Sequence, residues 1–211
     1  QINPAQKAGG RATGEEREWP HWKMAEDAEL FEEMMDKPLS YYAFEMLYWC
    51  GIREGELLAL TPADFNFERG TVSINKSYQR INKQDVITTP KTPKSIRVIQ
   101  MPKFLCDEMQ DYFKMFYSLD SDSRIFPISK NYLHREMARG SKATGVKRIR
   151  IHDLRHSHVS LLIDMGFTAL AIADRVGHES IDITFRYAHL FPTRQIEMAD
   201  KLDMMRSEKG A

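Results

Sequence analysis

The sequence has few cysteines, no long apolar run and no net charge. Its two cysteines, Cys50 and Cys106, do not form a C-x-x-C pair, which argues against a disulfide framework or a cysteine zinc site. No window approaches the ~18 uncharged apolar residues that a membrane span requires. No charged start followed by an apolar stretch marks a secretory signal. We therefore expect a protein of a reducing, cytoplasmic compartment that makes no membrane contact.

The zero net charge hides an uneven distribution along the chain. Residues 1–70 hold 7 basic and 14 acidic side chains, residues 71–160 hold 17 and 8, and residues 161–211 hold 6 and 8. A zero balance argues against nucleic acid only if the charge is evenly spread, because a polyanion responds to the local field. The basic middle third keeps a nucleic-acid surface open.

The periodicity of apolar residues predicts a mainly α chain with one small antiparallel three-stranded β-sheet, an α+β fold. We interpret residues 1–18 as a polar linker, 19–192 as one domain and 193–211 as a C-terminal tail with an amphipathic helix. β-branched runs separated by turn signals place the sheet within residues 64–101. The apolar spacing and the glycine and proline breaks predict helices at 24–37, 40–50, 54–60, 102–119, 130–144, 152–165, 168–176, 180–187 and 193–206.

Polar groups are concentrated in five short segments. On a helix, His152, Arg155 and His156 share about one face. Such a cluster is costly to bury unless an anion meets it. A helical H-x-x-x-H is also a metal-ligand spacing, but an arginine between the histidines would repel a divalent cation. The segments are GIREGELLAL (51–60), TTPKTPKSIRVIQM (88–101), IHDLRHSHVSLL (151–162), RVGHES (175–180) and ITFRYAHL (183–190).

The order of these segments resembles the tyrosine recombinase (phage integrase) family. GIREGELLAL is similar to the family's first arginine box, PKTPKSIRVIQMP to its hairpin lysine segment, and HDLRHSHVSLL to its H-x-L-R-H box. VGHESIDITFRYAHL is similar to the segment that runs to the nucleophile. The matching strings span residues 51–190 and look most like integrases of conjugative transposons and phages of Gram-positive bacteria.

The resemblance implies a tyrosine recombinase catalytic-domain fold and an active DNA strand transferase. Tyr187 would attack a scissile phosphodiester and form a 3′-phosphotyrosine, without a metal or any other cofactor. Arg53 and Arg155 would hold the non-bridging oxygens as forked donors, and His178 would be a further donor.

The resemblance also assigns the two proton transfers. A phenol with an ordinary pKa near ~10 is a poor nucleophile at neutral pH, and His152 is the family's candidate base. Lys91 matches the acid that protonates the leaving 5′-oxygen, with Lys94 on the same turn as its rival. His156 is interpreted as a supporting or packing residue.

The predicted partner is double-stranded DNA at attachment sites, bound by a homotetramer. In the family the last helix packs on a neighbouring protomer, while packing on its own domain is the alternative here. The N-terminal core-binding domain that family members carry is absent from this sequence, so we expect weak DNA binding. Predicted DNA contacts are Lys76, Arg80, Lys94, Arg97, Lys147 and Arg150.

Three other functions stay open at this point. A type IB topoisomerase shares the active-site logic but relaxes supercoils. A metal-dependent phosphohydrolase would use the His152-Asp153 pair with His156 and His178. A DNA-binding module without catalysis would not need Tyr187.

Overall fold

The computed structural model describes residues 24–90, 92–187, 198–202 and 204, which fold into helices and two small antiparallel sheets. The helices are α1 (Met24–Met34), α2 (Pro38–Cys50), α3 (Glu54–Leu57), α4 (Lys103–Lys114), α5 (Lys130–Thr144), α6 (Ile151–Asp164), α7 (Ala169–Val176) and α8 (Ile181–Phe185). The strands are β1 (Phe65–Asn66), β2 (Thr71–Ile74), β3 (Ser77–Ile81), β4 (Gln84–Thr88) and β5 (Arg97–Gln100).

The predicted three-stranded antiparallel sheet is confirmed, with strand order β1-β2-β5. Val72 of β2 lies opposite Ile99 of β5, and both are buried, as the period-2 pattern requires. The strands β3 and β4 form a second, two-stranded sheet, which the prediction of one small sheet did not include. Its two-residue turn, Asn82-Lys83, has positive φ at both positions (50° and 66°), the backbone of a tight hairpin turn.

The predicted helices from α1 to α8 are confirmed, but α1 ends at Met34 and α3 at Leu57, three residues before their predicted limits at 37 and 60. Helix α4 ends at Lys114, before the predicted limit at residue 119. Phe116 and Leu119 still pack on the core, but from the loop that follows the helix. Most of the predicted tail helix, 193–206, lies outside the described residues. No described helix is long and apolar enough to cross a membrane.

Two apolar clusters organise the chain. The larger one surrounds α2, which packs against α1, α4 and α6. The smaller one joins α6 to α7 through Val159, Ile163, Ile172 and Val176, and it includes Tyr187. Packing thus holds Tyr187 beside α6. This helix also carries Arg155 and the predicted site histidines His152 and His156.

Glycine is required at two turns beside this helix. Gly51 has φ of +60°, and a Cβ there would lie 2.4 Å from Cδ2 of His158. Gly177 has φ of +68°, and a Cβ there would lie 3.0 Å from Arg97 Cδ. Both glycines let the chain turn tightly next to α6 and β5.

Candidate active site

Arg53 lies at the N-terminus of α3. Its backbone N–H donates to Oε2 of Glu56 (2.9 Å) and its Nη1 donates to Oε1 (2.8 Å). Its Nη2 donates to the carbonyl of Gly177 (3.0 Å). The side chain is still 37% exposed. These bonds fix the orientation of the guanidinium while leaving part of it open to a ligand.

Arg155 lies on α6 and is only 3% exposed. Its Nη1 donates to the carbonyl of Gly51 (2.7 Å), but its buried Nη2 has no hydrogen-bond partner among the described residues. Burial, together with the positive charges of Arg53 and Arg97, lowers the pKa of Arg155 to about 9. A buried cation with an unused donor is costly unless an anion completes the arrangement.

His178 directly follows Gly177 at the end of α7 and is 7% exposed. Its Nδ1 lies 2.8 Å from the hydroxyl of Thr184. Burial and the charges of Arg155 and Arg53 lower the pKa of His178 to about 3. The ring is therefore neutral at neutral pH, when it carries one N–H that can donate to an anion.

Tyr187 is 4% exposed, and its hydroxyl is hydrogen-bonded to Nδ1 of His156. Burial raises the pKa of Tyr187 to about 12, although the charge of Arg155 opposes the shift. The ring of His156 also contacts that of His152, with centroids 4.9 Å apart. The sequence predicts only a supporting or packing role for His156. The contact with Tyr187 depends on tertiary folding, because 31 residues separate the two.

These side chains line one cavity of about 340 Å³. It brings together five of the six predicted catalytic residues, and Lys91 lies outside the described residues. None of the described lining residues is acidic, so the cavity favours an anion. The lining residues are Arg53, Arg150, His152, Arg155, His156, His178, Ile183, Arg186 and Tyr187.

The six residues predicted to contact DNA fall into two groups. Lys76 donates to the carboxylate of Asp64 (2.6 Å), and Arg97 is 6% exposed and paired with Glu56. In the structure these two cations are therefore paired with carboxylates of the same chain. The prediction could not include these partners, because they come close only when the chain folds. The other four are exposed: Arg80, Lys94, Lys147 and Arg150.

Sequence reasoning missed Glu56, which is 4% exposed and accepts a hydrogen bond from Arg53 of the cavity. Its two oxygens accept from Nη1 (3.1 Å) and Nη2 (2.9 Å) of Arg97, which also donates to the carbonyls of Arg175 and Ser95. Burial alone would raise the pKa of Glu56, but hydrogen bonds and charge from Arg97 and Arg53 outweigh it and lower the pKa. Glu56 accepts from the backbone N–H of Arg53 three residues earlier, which is one half of a helix capping box, but arginine is not a residue type that marks such a box in a sequence.

Replacing Arg97 with methionine is expected to destabilise the fold. The change leaves the buried carboxylate of Glu56 with Arg53 alone, and breaking a buried ion pair costs about 3–5 kcal/mol. Urea unfolding measures the loss. Glu56→Gln in the same chain should restore part of it, because the uncompensated charge is then gone.

The matched control for this prediction is Lys103→Met. Lys103 also pairs with a carboxylate, that of Asp107 at 2.7 Å, but the two side chains are 89% and 56% exposed. Exposed pairs contribute little to stability, because solvent screens their charges. A loss for Arg97→Met no larger than for Lys103→Met would contradict the structural role of the buried pair.

The geometry does not favour the metal-dependent alternative. Asp153 is fully buried, and its oxygens accept from the backbone N–H (2.9 Å), Nε (3.0 Å) and Nη2 (2.8 Å) of Arg150. Its lone pairs are therefore directed at arginine. Within the described part of the chain, no three His, Cys, Asp or Glu side chains are grouped so that they could hold a metal ion.

Comparison with known proteins identifies relatives of this chain. The phage integrase family profile matches residues 25–194. The chain is 36% identical over 174 residues to the ICEBs1 integrase of Bacillus subtilis, covering 76% of this chain and 47% of that protein. It is 27% identical over 157 residues to tyrosine recombinase XerC of Corynebacterium glutamicum, covering 74% and 48%. The chain spans about half the length of the curated relatives it matches.

Solved structures share the fold. The Tn1549 transposon integrase in complex with transposon right end DNA has a TM-score of 0.70 at 20% identity, covering 89% of this chain and 65% of that one. The catalytic domain of bacteriophage HP1 integrase has a TM-score of 0.61 at 20% identity, covering 87% and 95%. The predicted α+β catalytic-domain fold is thus confirmed. Because the family profile covers most of the chain, including every described residue that lines the cavity, this chain belongs to the phage integrase family.

Proposed function

We propose that this chain is the catalytic domain of a site-specific DNA recombinase that cuts and rejoins DNA strands through a 3′-phosphotyrosine at Tyr187, for integration and excision of a mobile element in the bacterial cytoplasm. The observation that carries the proposal is the cavity, where one tyrosine hydroxyl, several arginines and three histidines surround a single space. A phosphodiester fits these groups, because phosphoryl transfer depends on positioning and on stabilisation of negative charge.

Arg53 and Arg155 are proposed to bind the non-bridging oxygens of the scissile phosphate. Both guanidiniums are oriented by carbonyl acceptors, and the unused Nη2 of Arg155 supports this role. Their planar forks match phosphate oxygens better than lysine would. His178, held by the hydroxyl of Thr184, supplies a third donor in the same cavity.

The family resemblance assigns protonation of the leaving 5′-oxygen to Lys91 and deprotonation of Tyr187 to His152. A second cavity, of about 320 Å³, shares Arg53 with the first and is lined by Pro90 and Thr92, the two neighbours of Lys91 in sequence. That arrangement supports an acid from this turn. The phosphotyrosine conserves the energy of the broken bond, so rejoining needs neither ATP nor a metal.

The proposed partner is double-stranded DNA, bound by a homotetramer. The exposed cations Arg80, Lys94, Lys147 and Arg150 support contacts with the phosphate backbone. For the tail we propose docking on a neighbouring protomer. Met198, Leu202 and Met204 support this, since these apolar side chains are 50–67% exposed.

Covalent capture tests the proposed function. The full chain is mixed, in EDTA, with duplexes taken from the DNA that flanks its gene, each nicked just 3′ of a candidate cleavage position. The short 5′-hydroxyl fragment is then lost, and rejoining cannot reverse the cut. We expect a protein–DNA adduct that survives denaturation, and much less adduct from the same duplexes without nicks. Absence of any adduct, or its loss in EDTA, would contradict the proposal.

A further inference from the structure

The hydroxyl of Tyr187 contacts a histidine that the family resemblance does not assign to catalysis. Nδ1 of His156 is hydrogen-bonded to the Tyr187 oxygen, and the ring centroids lie 5.8 Å apart at an interplanar angle of 45°. A general base must lie within hydrogen-bond reach of the proton it removes, and His156 meets that requirement. His152, one turn earlier on α6, contacts the ring of His156 edge-on.

We propose that His156 is a catalytic residue whose Nδ1 accepts the phenolic proton of Tyr187 as the tyrosine oxygen attacks phosphorus. The inference rests on the proposed function and names the proton acceptor in that same site. His156 thereby replaces His152, the base that the family resemblance assigns, and His152 lines the cavity and packs against the ring of the acceptor.

The protonation states before the reaction are consistent with this role. Partial burial and the nearby His152 lower the pKa of His156 to about 4, so its ring is neutral at neutral pH. The phenol of Tyr187 is protonated, because burial raises its pKa. Before DNA binds, His156 is therefore neutral and Tyr187 is protonated, as a base and its proton donor must be.

The charges around His156 change when a phosphodiester enters. In the structure the charges of Asp153, Arg150 and Arg155 act on the ring, and the two cations disfavour an imidazolium. A bound phosphate adds negative charge to the cavity, which favours the protonated ring. The substrate would thus strengthen the base at the moment when it is needed.

The step balances in protons and bonds. The O–H bond of Tyr187 breaks, the proton passes to Nδ1 of His156, and the bond between the tyrosine oxygen and phosphorus forms. The bond from phosphorus to the 5′-oxygen breaks, and that oxygen takes a proton from the acid assigned to Lys91. In the reverse step His156 returns its proton to the departing tyrosine oxygen.

The test compares His156→Gln with His152→Gln in the full chain, using nicked duplexes that trap the adduct. Glutamine can still hydrogen-bond to the phenol, but it cannot take the proton. We expect His156→Gln to slow adduct formation by about 10²–10⁴-fold, the contribution of a general base. Each variant is also made with 3,5-difluorotyrosine at position 187, whose phenol is more acidic than that of tyrosine and needs less help from a base.

Difluorotyrosine should raise the rate of adduct formation by His156→Gln at least tenfold. It should not raise the rate of His152→Gln. Rescue confined to His152→Gln, or a His156→Gln rate within twofold of the parent, would overturn the inference. If His156→Gln does not fold, His156→Ala with added imidazole replaces it, and rescue by imidazole is expected. A parent chain that forms no adduct would instead count against the proposed function.

Discussion

Tyr187→Phe is expected to abolish the covalent adduct. The change removes one oxygen atom, the nucleophile, and loss of a nucleophile costs about a million-fold in rate in a well-studied hydrolase. The ring should keep its place among Val159, Ile163, Ile172 and Val176, because the apolar contacts do not involve the hydroxyl. Only the hydrogen bond to His156 is lost, worth about 1 kcal/mol. The variant should therefore remain folded and lose its chemistry.

Tyr117→Phe is the matched control, because the Tyr117 ring is fully exposed. Adduct formation on the nicked duplexes should proceed at the parent rate in this variant. Adduct from Tyr187→Phe at more than a trace level would exclude Tyr187 as the nucleophile. It would leave the cavity as a binding site for DNA.

Arg155→Met is expected to lower the rate of adduct formation by about 10³-fold while raising stability. The rate falls because a forked donor to the transition-state charge is lost. Stability should rise by about 1–2 kcal/mol, because removing the penalty of burying a cation with an unused donor outweighs the loss of its hydrogen bond to the Gly51 carbonyl. Urea unfolding and single-turnover capture measure the two effects on one sample.

Arg175→Met is the matched control for the gain in stability. Arg175 is also positively charged and largely withdrawn from solvent, but its donors reach His158 Nε2 (3.1 Å), the Gln100 carbonyl (3.0 Å) and the Trp49 carbonyl (3.1 Å). Its loss should destabilise the fold by about 2–4 kcal/mol, since these acceptors lose a charged donor. If Arg155→Met were destabilised to the same degree, the role of Arg155 would be to stabilise the fold and not to bind an anion.

The order of helices and the small sheet could be predicted from sequence because both depend on local periodicity. Gly51 and Gly177 end helices at their predicted places, and Arg53 and Arg155 fall in the cavity as the motifs predicted. The resemblance supplied the roles, and the family match confirmed the resemblance itself. In these respects local sequence was sufficient.

The partners of charged residues could not be predicted, because they come from distant parts of the chain. Arg97 resembles a strand residue that faces DNA, yet the fold brings Glu56 to it from 41 positions earlier. The contact between His156 and Tyr187 likewise depends on how α7 and α8 return the chain to α6. In both cases periodicity gives the face of an element, and only packing decides what meets that face.

Covalent attachment of Tyr187 to DNA is the step on which the proposed function depends. The most direct measurement is mass spectrometry of the trapped adduct after protease and nuclease digestion, which locates the modified residue among the eight tyrosines of the chain. We predict a nucleotide remnant on the peptide that contains Tyr187. A remnant on any other residue, such as Tyr78 or Tyr132, would show that Tyr187 is not the nucleophile.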